Sequence, residues 1–192
     1  MANQAVKIDG VWKMLRFAGW AFSAALLVLP AIAMQFTSEV DWSASDFIVM
    51  AALLGTVGLT TEFLVRRSGS TAYRIGAVIA MATAFLTIWV NLAVGMIGDV
   101  NPYNLLFGGV LLIALAGSIL ADFKPAGMAR TMFAAAAAQA VVGGFGFPTD
   151  PLGAVLSMMF ALPWILSAGL FRQAARDQGT STVSTASGDV SG

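Results

Sequence analysis

The sequence predicts an all-α, polytopic membrane protein, a bundle of six transmembrane helices with both termini in the cytoplasm. Three observations carry that prediction. Charged residues are 10% and hydrophobic residues 58% of 192 positions, with a mean hydropathy of +0.83, whereas a soluble domain is about a quarter charged. The apolar residues fall in blocks of roughly 20, the length a helix rising about 1.5 Å per residue needs to cross a ~30 Å hydrocarbon core. Laid end to end, those blocks sort all ten basic residues to one side, as the positive-inside rule requires.

Residues 1–16 form a cytoplasmic leader that ends in VKIDGVWKMLR. Val6, Ile8, Val11, Trp12 and Leu15 recur at helical spacing among Lys7, Asp9 and Lys13, the pattern of an amphipathic helix lying along the inner surface. Gly10 interrupts it, and a flexible basic leader is the alternative. The transmembrane domain covers 17–171, with spans at about 17–36, 47–65, 72–98, 103–121, 128–147 and 152–171. Lys7 and the bases before Ala31-Ile32-Ala33 resemble a secretory signal and its cleavage site. The apolar run continues to Phe36, so the first helix is expected to be retained.

The fifth span, which ends in AAAAAQAVVGGFGF, is the least apolar, and a re-entrant or short helix there would leave five spans. Charge decides for six. One side then holds Lys7, Lys13, Arg16, Arg66, Arg67, Arg74, Lys124, Arg130, Arg172 and Arg176; the other holds Glu39, Asp41, Asp46, Asp99 and Asp150. Five spans would strand Arg172 and Arg176 on the acidic side. Pro30 and Pro163 should kink or loosen the first and sixth spans. Asn101 before Pro102 fits a helix N-cap with proline at the first helical position. Gly95 and Gly98 loosen the end of the third span. The small residues Ala134–Ala138, Ala140, Gly143 and Gly144 make the fifth helix thin, which suits close packing near the bundle centre. The tail, 172–192, is Ser/Thr/Gly-rich and expected to be disordered.

A shift of 56 residues lays the second and third spans on the fourth and fifth, matching Leu59 to Leu115, Leu64 to Leu120 and Arg74 to Arg130. Ala and Leu matches also arise from membrane composition alone.

With no Cys and no His, the chain offers no disulfide, thiol nucleophile, Cys/His zinc site or His-ligated haem. It also lacks the usual general base near neutral pH. No metal site or cofactor is expected, and without a basic run nucleic acid is not an expected partner. The lipid bilayer is, together with further copies of the chain or other membrane subunits.

Candidate site residues are the polar groups inside apolar runs. Glu62 is the only ionisable side chain well inside one. Such a carboxylate marks a functional site or needs a cation, and Arg66, Arg67 and Arg74 are the cations its position offers. Asn91 and Gln139 are buried amides that must find partners. They are expected either to meet each other or to line a polar cavity with Thr56, Thr60, Thr83 and Thr87.

The stretches IWVNLAVGMIGDVNPYNLL (88–106), KPAGMAR (124–130) and the alanines around Gln139 resemble a family of small, multi-spanning, uncharacterised bacterial inner-membrane proteins. The resemblance covers the second to fifth spans and implies a bacterial plasma-membrane location; it brings no activity with it. The reading that follows is non-enzymatic: a structural, accessory or partner-binding membrane subunit. The alternative is a small transporter, channel or lipophilic-ligand binder with a polar path near Asn91, Gln139 and Glu62. An enzyme acting on lipids comes third, because only Glu62 and its neighbouring arginines could converge at headgroup depth.

Overall fold

The computed structural model describes the backbone of residues 2–98 and 101–188, and the side chains of 10–98 and 101–180. Over these residues the protein is all-α, with seven α-helices and one short 3-10 turn. Five stretches are long and apolar enough to cross a membrane: Gly10–Ala33, Ala44–Arg66, Thr71–Ala93, Pro102–Leu120 and Pro151–Thr180. The chain is a multi-pass membrane protein. It divides into two compact units, Met1–Glu62 and Phe63–Gly192.

The first unit holds α1 (Ala2–Ala33) and most of α2 (Ala44–Arg66). The leader and the first span are one continuous helix rather than a surface helix followed by a span. Gly10 sits inside it with nothing within 4 Å of where a Cβ would be, so it costs the helix only about 1 kcal/mol relative to alanine. Val6 and Ile8 lie outside the described side chains. The helix runs through Pro30 as far as Ala33. Ser43 and Asp46 open α2 reciprocally: the Ser43 backbone N–H donates to Asp46 Oδ2 at 2.8 Å and Asp46 N–H to Ser43 Oγ at 3.3 Å. That is a capping box with aspartate in the usual glutamate position. Trp20 lies over Gly58, where a Cβ would come within 2.8 Å of the indole ring.

The second unit contains α3 (Thr71–Ala93), the 3-10 turn (Pro102–Leu105), α4 (Leu106–Leu120), α5 (Pro125–Gly144), α6 (Pro151–Met159) and α7 (Ala161–Gly188). α5 packs against α4, α6 and α7. It is not among the five strongly apolar stretches, yet it runs antiparallel beside the α6–α7 rod. Gly143 meets Ala154 and Met158 near one end, and Gln139 bonds to Ser157 a turn further in. Ala135 and Ala136 are buried. Small side chains bring backbones close where lipid supplies no hydrophobic driving force, so α5 is held by packing rather than by its own hydropathy.

Three boundaries differ from the sequence expectation. The third span, expected to reach 98, ends at Ala93, and Met96–Ile97 turn inward as a buried loop. Gly95 and Gly98 take positive φ (71° and 65°), a conformation glycine enters freely. The sixth span breaks at Phe160 into α6 and α7. Pro163 supplies no N–H for the Met159 carbonyl, and the chain tightens there through Phe160 N–H to Ser157 O at 3.2 Å. Finally, α7 continues past Phe171 to Gly188 instead of giving way to a disordered tail. Gln173, Ala174, Ala175 and Arg176 are good helix formers, and Ala174 is buried. The last four residues lie outside the described ones.

The predicted cap forms. Asn101 Oδ1 accepts from Tyr103 N–H at 3.0 Å with Pro102 at the first position. Asp122 and Phe123 make the left-handed turn (φ 49° and 55°) that returns the chain into α5. Tyr73 donates to the Phe123 carbonyl at 2.8 Å and packs edge-on against Phe171. The N-termini of α3 and α5 and the middle of α7 therefore share one end of this unit, where Arg67, Arg74, Lys124, Arg130, Arg172 and Arg176 gather. The opposite end carries Asp150, Asn101, Asn104 and Thr149.

Candidate functional site

The polar side chains of the second unit form a relay around the inward loop. Irregular backbone at membrane depth survives only where protein satisfies it, and here side chains do so bond by bond. Asn91 Oδ1 accepts from Met96 N–H (3.4 Å) while its Nδ2 donates to the Asn104 carbonyl (3.0 Å). Asn104 Oδ1 accepts from Ile97 N–H (2.9 Å) and its Nδ2 donates to the Gly98 carbonyl (2.7 Å). Ser157 then donates from Oγ to the Met96 carbonyl at 2.6 Å, and Gln139 Nε2 donates to the Ser157 carbonyl at 3.1 Å. Asn91 and Gln139 are thus linked through Met96 and Ser157, not by direct contact. Asn91 is spent on the loop.

Gln139 is different. It is fully buried, and its Oε1 has no hydrogen-bond partner; the other such buried side-chain atom among the described residues is Trp164 Nε1. One is an acceptor and one a donor, on the buried faces of two helices packed together along their length. An unpaired buried polar group costs about 1–3 kcal/mol. The second unit therefore buries one unused acceptor and one unused donor.

The threonines divide. Thr83 and Thr87 are buried on α3, where Thr83 Oγ1 donates to the Ile79 carbonyl (2.7 Å) and Thr87 Oγ1 to the Thr83 carbonyl (2.9 Å). Their protons are used locally, but their lone pairs can still accept. Thr56 and Thr60 belong to the first unit. All buried polar side chains among the described residues are uncharged: Thr83, Thr87, Ser118, Thr131, Gln139, Ser157 and Ser167.

Glu62 also lies in the first unit, where it is ion-paired with Arg16, a residue 46 positions earlier that local spacing could not nominate. Of the cations expected to serve it, Arg67 sits between the Phe63 and Phe123 rings at 5.1 and 5.0 Å and 3.7 Å from Asp122 Oδ1. Arg74 Nε donates to the Ser68 carbonyl at 2.8 Å. Among the described residues no group of three or more metal-ligating side chains comes together.

Asn104, Ser157 and Trp164 were missed as site residues. Asn104 sits in the NPYN stretch but reads as surface, Ser157 is one hydroxyl in an apolar helix, and Trp164 reads as packing. Ser157 gives a direct test of the relay. Removing its hydroxyl in Ser157→Ala leaves the buried Met96 carbonyl without its partner, and should cost about 1–3 kcal/mol in thermal or denaturant unfolding in detergent. Comparison of the chain with protein-family models, characterised proteins and solved structures finds no match.

Proposed function

We propose that the protein is a small membrane transport or solute-binding protein whose second unit recognises an uncharged, hydrogen-bonding solute at Gln139 and Trp164. The observation that carries this reading is the pair of orphaned buried atoms, Gln139 Oε1 and Trp164 Nε1, where the other buried side-chain polar atoms among the described residues are partnered. The absence of buried charge among the described residues favours a neutral ligand, since an ion entering this core would meet no counter-charge. A molecule offering both an acceptor and a donor, such as an alcohol, an amide or water itself, matches the two groups. The gathering of basic residues at one end of the second unit supports placing that end in the cytoplasm.

The test is access to Trp164. With 15N-labelled tryptophan the chain gives five indole signals, one for each Trp, and Trp164→Phe assigns the relevant one. Its N–H should exchange with D2O faster than the backbone amides of buried α5 residues, and its shift should move on titration with urea or glycerol. An indole N–H as protected as those amides, and unmoved by either probe, would mark a sealed dry core and overturn the reading.

A further inference from the structure

At the basic end of the second unit an open groove of about 600 Å³ lies between the first turns of α5 and the stretch of α7 that follows Phe171. Arg130, Arg172 and Arg176 line it, with Ala126, Ala129 and Phe133 as its apolar part. We propose that this groove is a binding site for an anionic phospholipid, its phosphate held by the three guanidinium groups and an acyl chain lying along Phe133.

The argument begins with the spacing of the arginines. Arg172 and Arg176 are four residues apart on α7 and so share a face; Arg130 joins them from α5. Like charges at that spacing repel, and the helix pairing adds a third. Among the described residues none of the three forms an ion pair. Asp177, the adjacent acid, does not line the groove. Arg130 Nε donates to the Ala126 carbonyl at 3.3 Å, which holds that side chain against its own helix beside the apolar floor. An anion would relieve the repulsion, and planar guanidinium groups bind phosphate oxygens in pairs.

The apolar part decides between a lipid and a soluble anion. Phe133 is 44% exposed and sits one helical turn further along α5 than Arg130, toward the membrane interior. On α7 the apolar run Ala161–Phe171 gives way to Arg172, which places the arginines at headgroup depth. Basic recesses between helices at this depth suit lipid phosphates. A free phosphate would leave Phe133 unused.

The experiment uses the full chain in mild detergent, titrated with phosphatidylglycerol, phosphatidylcholine or inorganic phosphate, with thermal unfolding and native mass spectrometry as readouts. Phosphatidylglycerol should raise the unfolding temperature and remain bound in the spectrometer, while phosphatidylcholine and phosphate do neither. The variant R130Q/R172Q/R176Q should unfold at or slightly above the wild-type temperature without lipid, because all three side chains are exposed and their mutual repulsion is gone. Its affinity for phosphatidylglycerol should fall on the order of a hundredfold, from about 1 kcal/mol per arginine. R130K/R172K/R176K keeps the charge and should recover part of the binding. Equal stabilisation by phosphatidylcholine, an undiminished effect in the glutamine variant, or a match by inorganic phosphate would each overturn the proposal.

Discussion

Replacing Gly95 with alanine should destabilise the protein by about 2–5 kcal/mol, while the same change at Gly98 should cost only about 1 kcal/mol. Both glycines have positive φ, 71° and 65°, so both substitutions carry the penalty of a left-handed L-residue. The neighbours separate them. A Cβ on Gly95 would lie 2.4 Å from the Gly98 carbonyl oxygen and 2.6 Å from Asn104 Nδ2. The first is backbone, and the second is the donor that holds that same carbonyl. Neither can retreat without opening the loop that Met96 and Ile97 bury. A Cβ on Gly98 meets only Asp150 Oδ2, at 3.9 Å, an ordinary contact. Thermal unfolding of both variants in one detergent gives the comparison. Equal losses would mean that the loop is held by backbone conformation alone and that the Asn104 contacts contribute little.

That loop shows how far the sequence can be read. The helices follow from apolar blocks, and the cap at Asn101-Pro102 from a side chain next to the backbone it serves. Such signals are local. The end of α3 is not, because Gly95 permits a left-handed turn without requiring it, and what enforces the turn is Asn104 and Ser157, 9 and 62 residues away by numbering. Hydropathy carried the third span through to 98 since Val94, Met96 and Ile97 are as apolar as the helix before them. The break at Phe160 was legible as the loosened turn expected of Pro163, which acts on the carbonyl four residues earlier; only its exact place was hidden by the unbroken apolar run. Asn91 and Gln139 were legible as amides needing partners. Which of them would be spent on structure depended on where the loop folds.

The same distinction separates the roles of the polar groups. Asn91, Asn104 and Ser157 hold backbone that would otherwise be unsatisfied, and Arg16 and Glu62 satisfy one another in the first unit. Their presence explains stability and needs no ligand. Gln139 gives one hydrogen bond and retains an acceptor that nothing uses, and Trp164 retains a donor. A fold selected for stability alone gains by replacing such groups with apolar ones. Function is therefore best sought where the accounting of buried hydrogen bonds fails to close.

Gln139→Leu turns that reasoning into opposed outcomes for stability and function. Leucine is close in volume and removes the orphaned Oε1, relieving about 1–3 kcal/mol of desolvation. The change also deletes the Nε2 bond to the Ser157 carbonyl, worth about 1 kcal/mol. The net effect on unfolding should lie within about 1 kcal/mol of zero or favour the variant. Ser157 itself is kept, so its hydroxyl still holds the Met96 loop. In proteoliposomes, however, the variant should lose at least tenfold of the protein-dependent permeability to urea or glycerol, read by light scattering during osmotic swelling. Gln139→Glu should also lose it, because a carboxylate must be desolvated or protonated in a core where no base is buried among the described residues. If Gln139→Leu is destabilised by several kcal/mol and permeability falls only in proportion to the folded fraction, Gln139 is a structural amide. If it is as stable as the wild type and as permeable, the solute does not pass Gln139. Stability retained with permeability lost is the outcome expected of a residue kept for the molecule it meets.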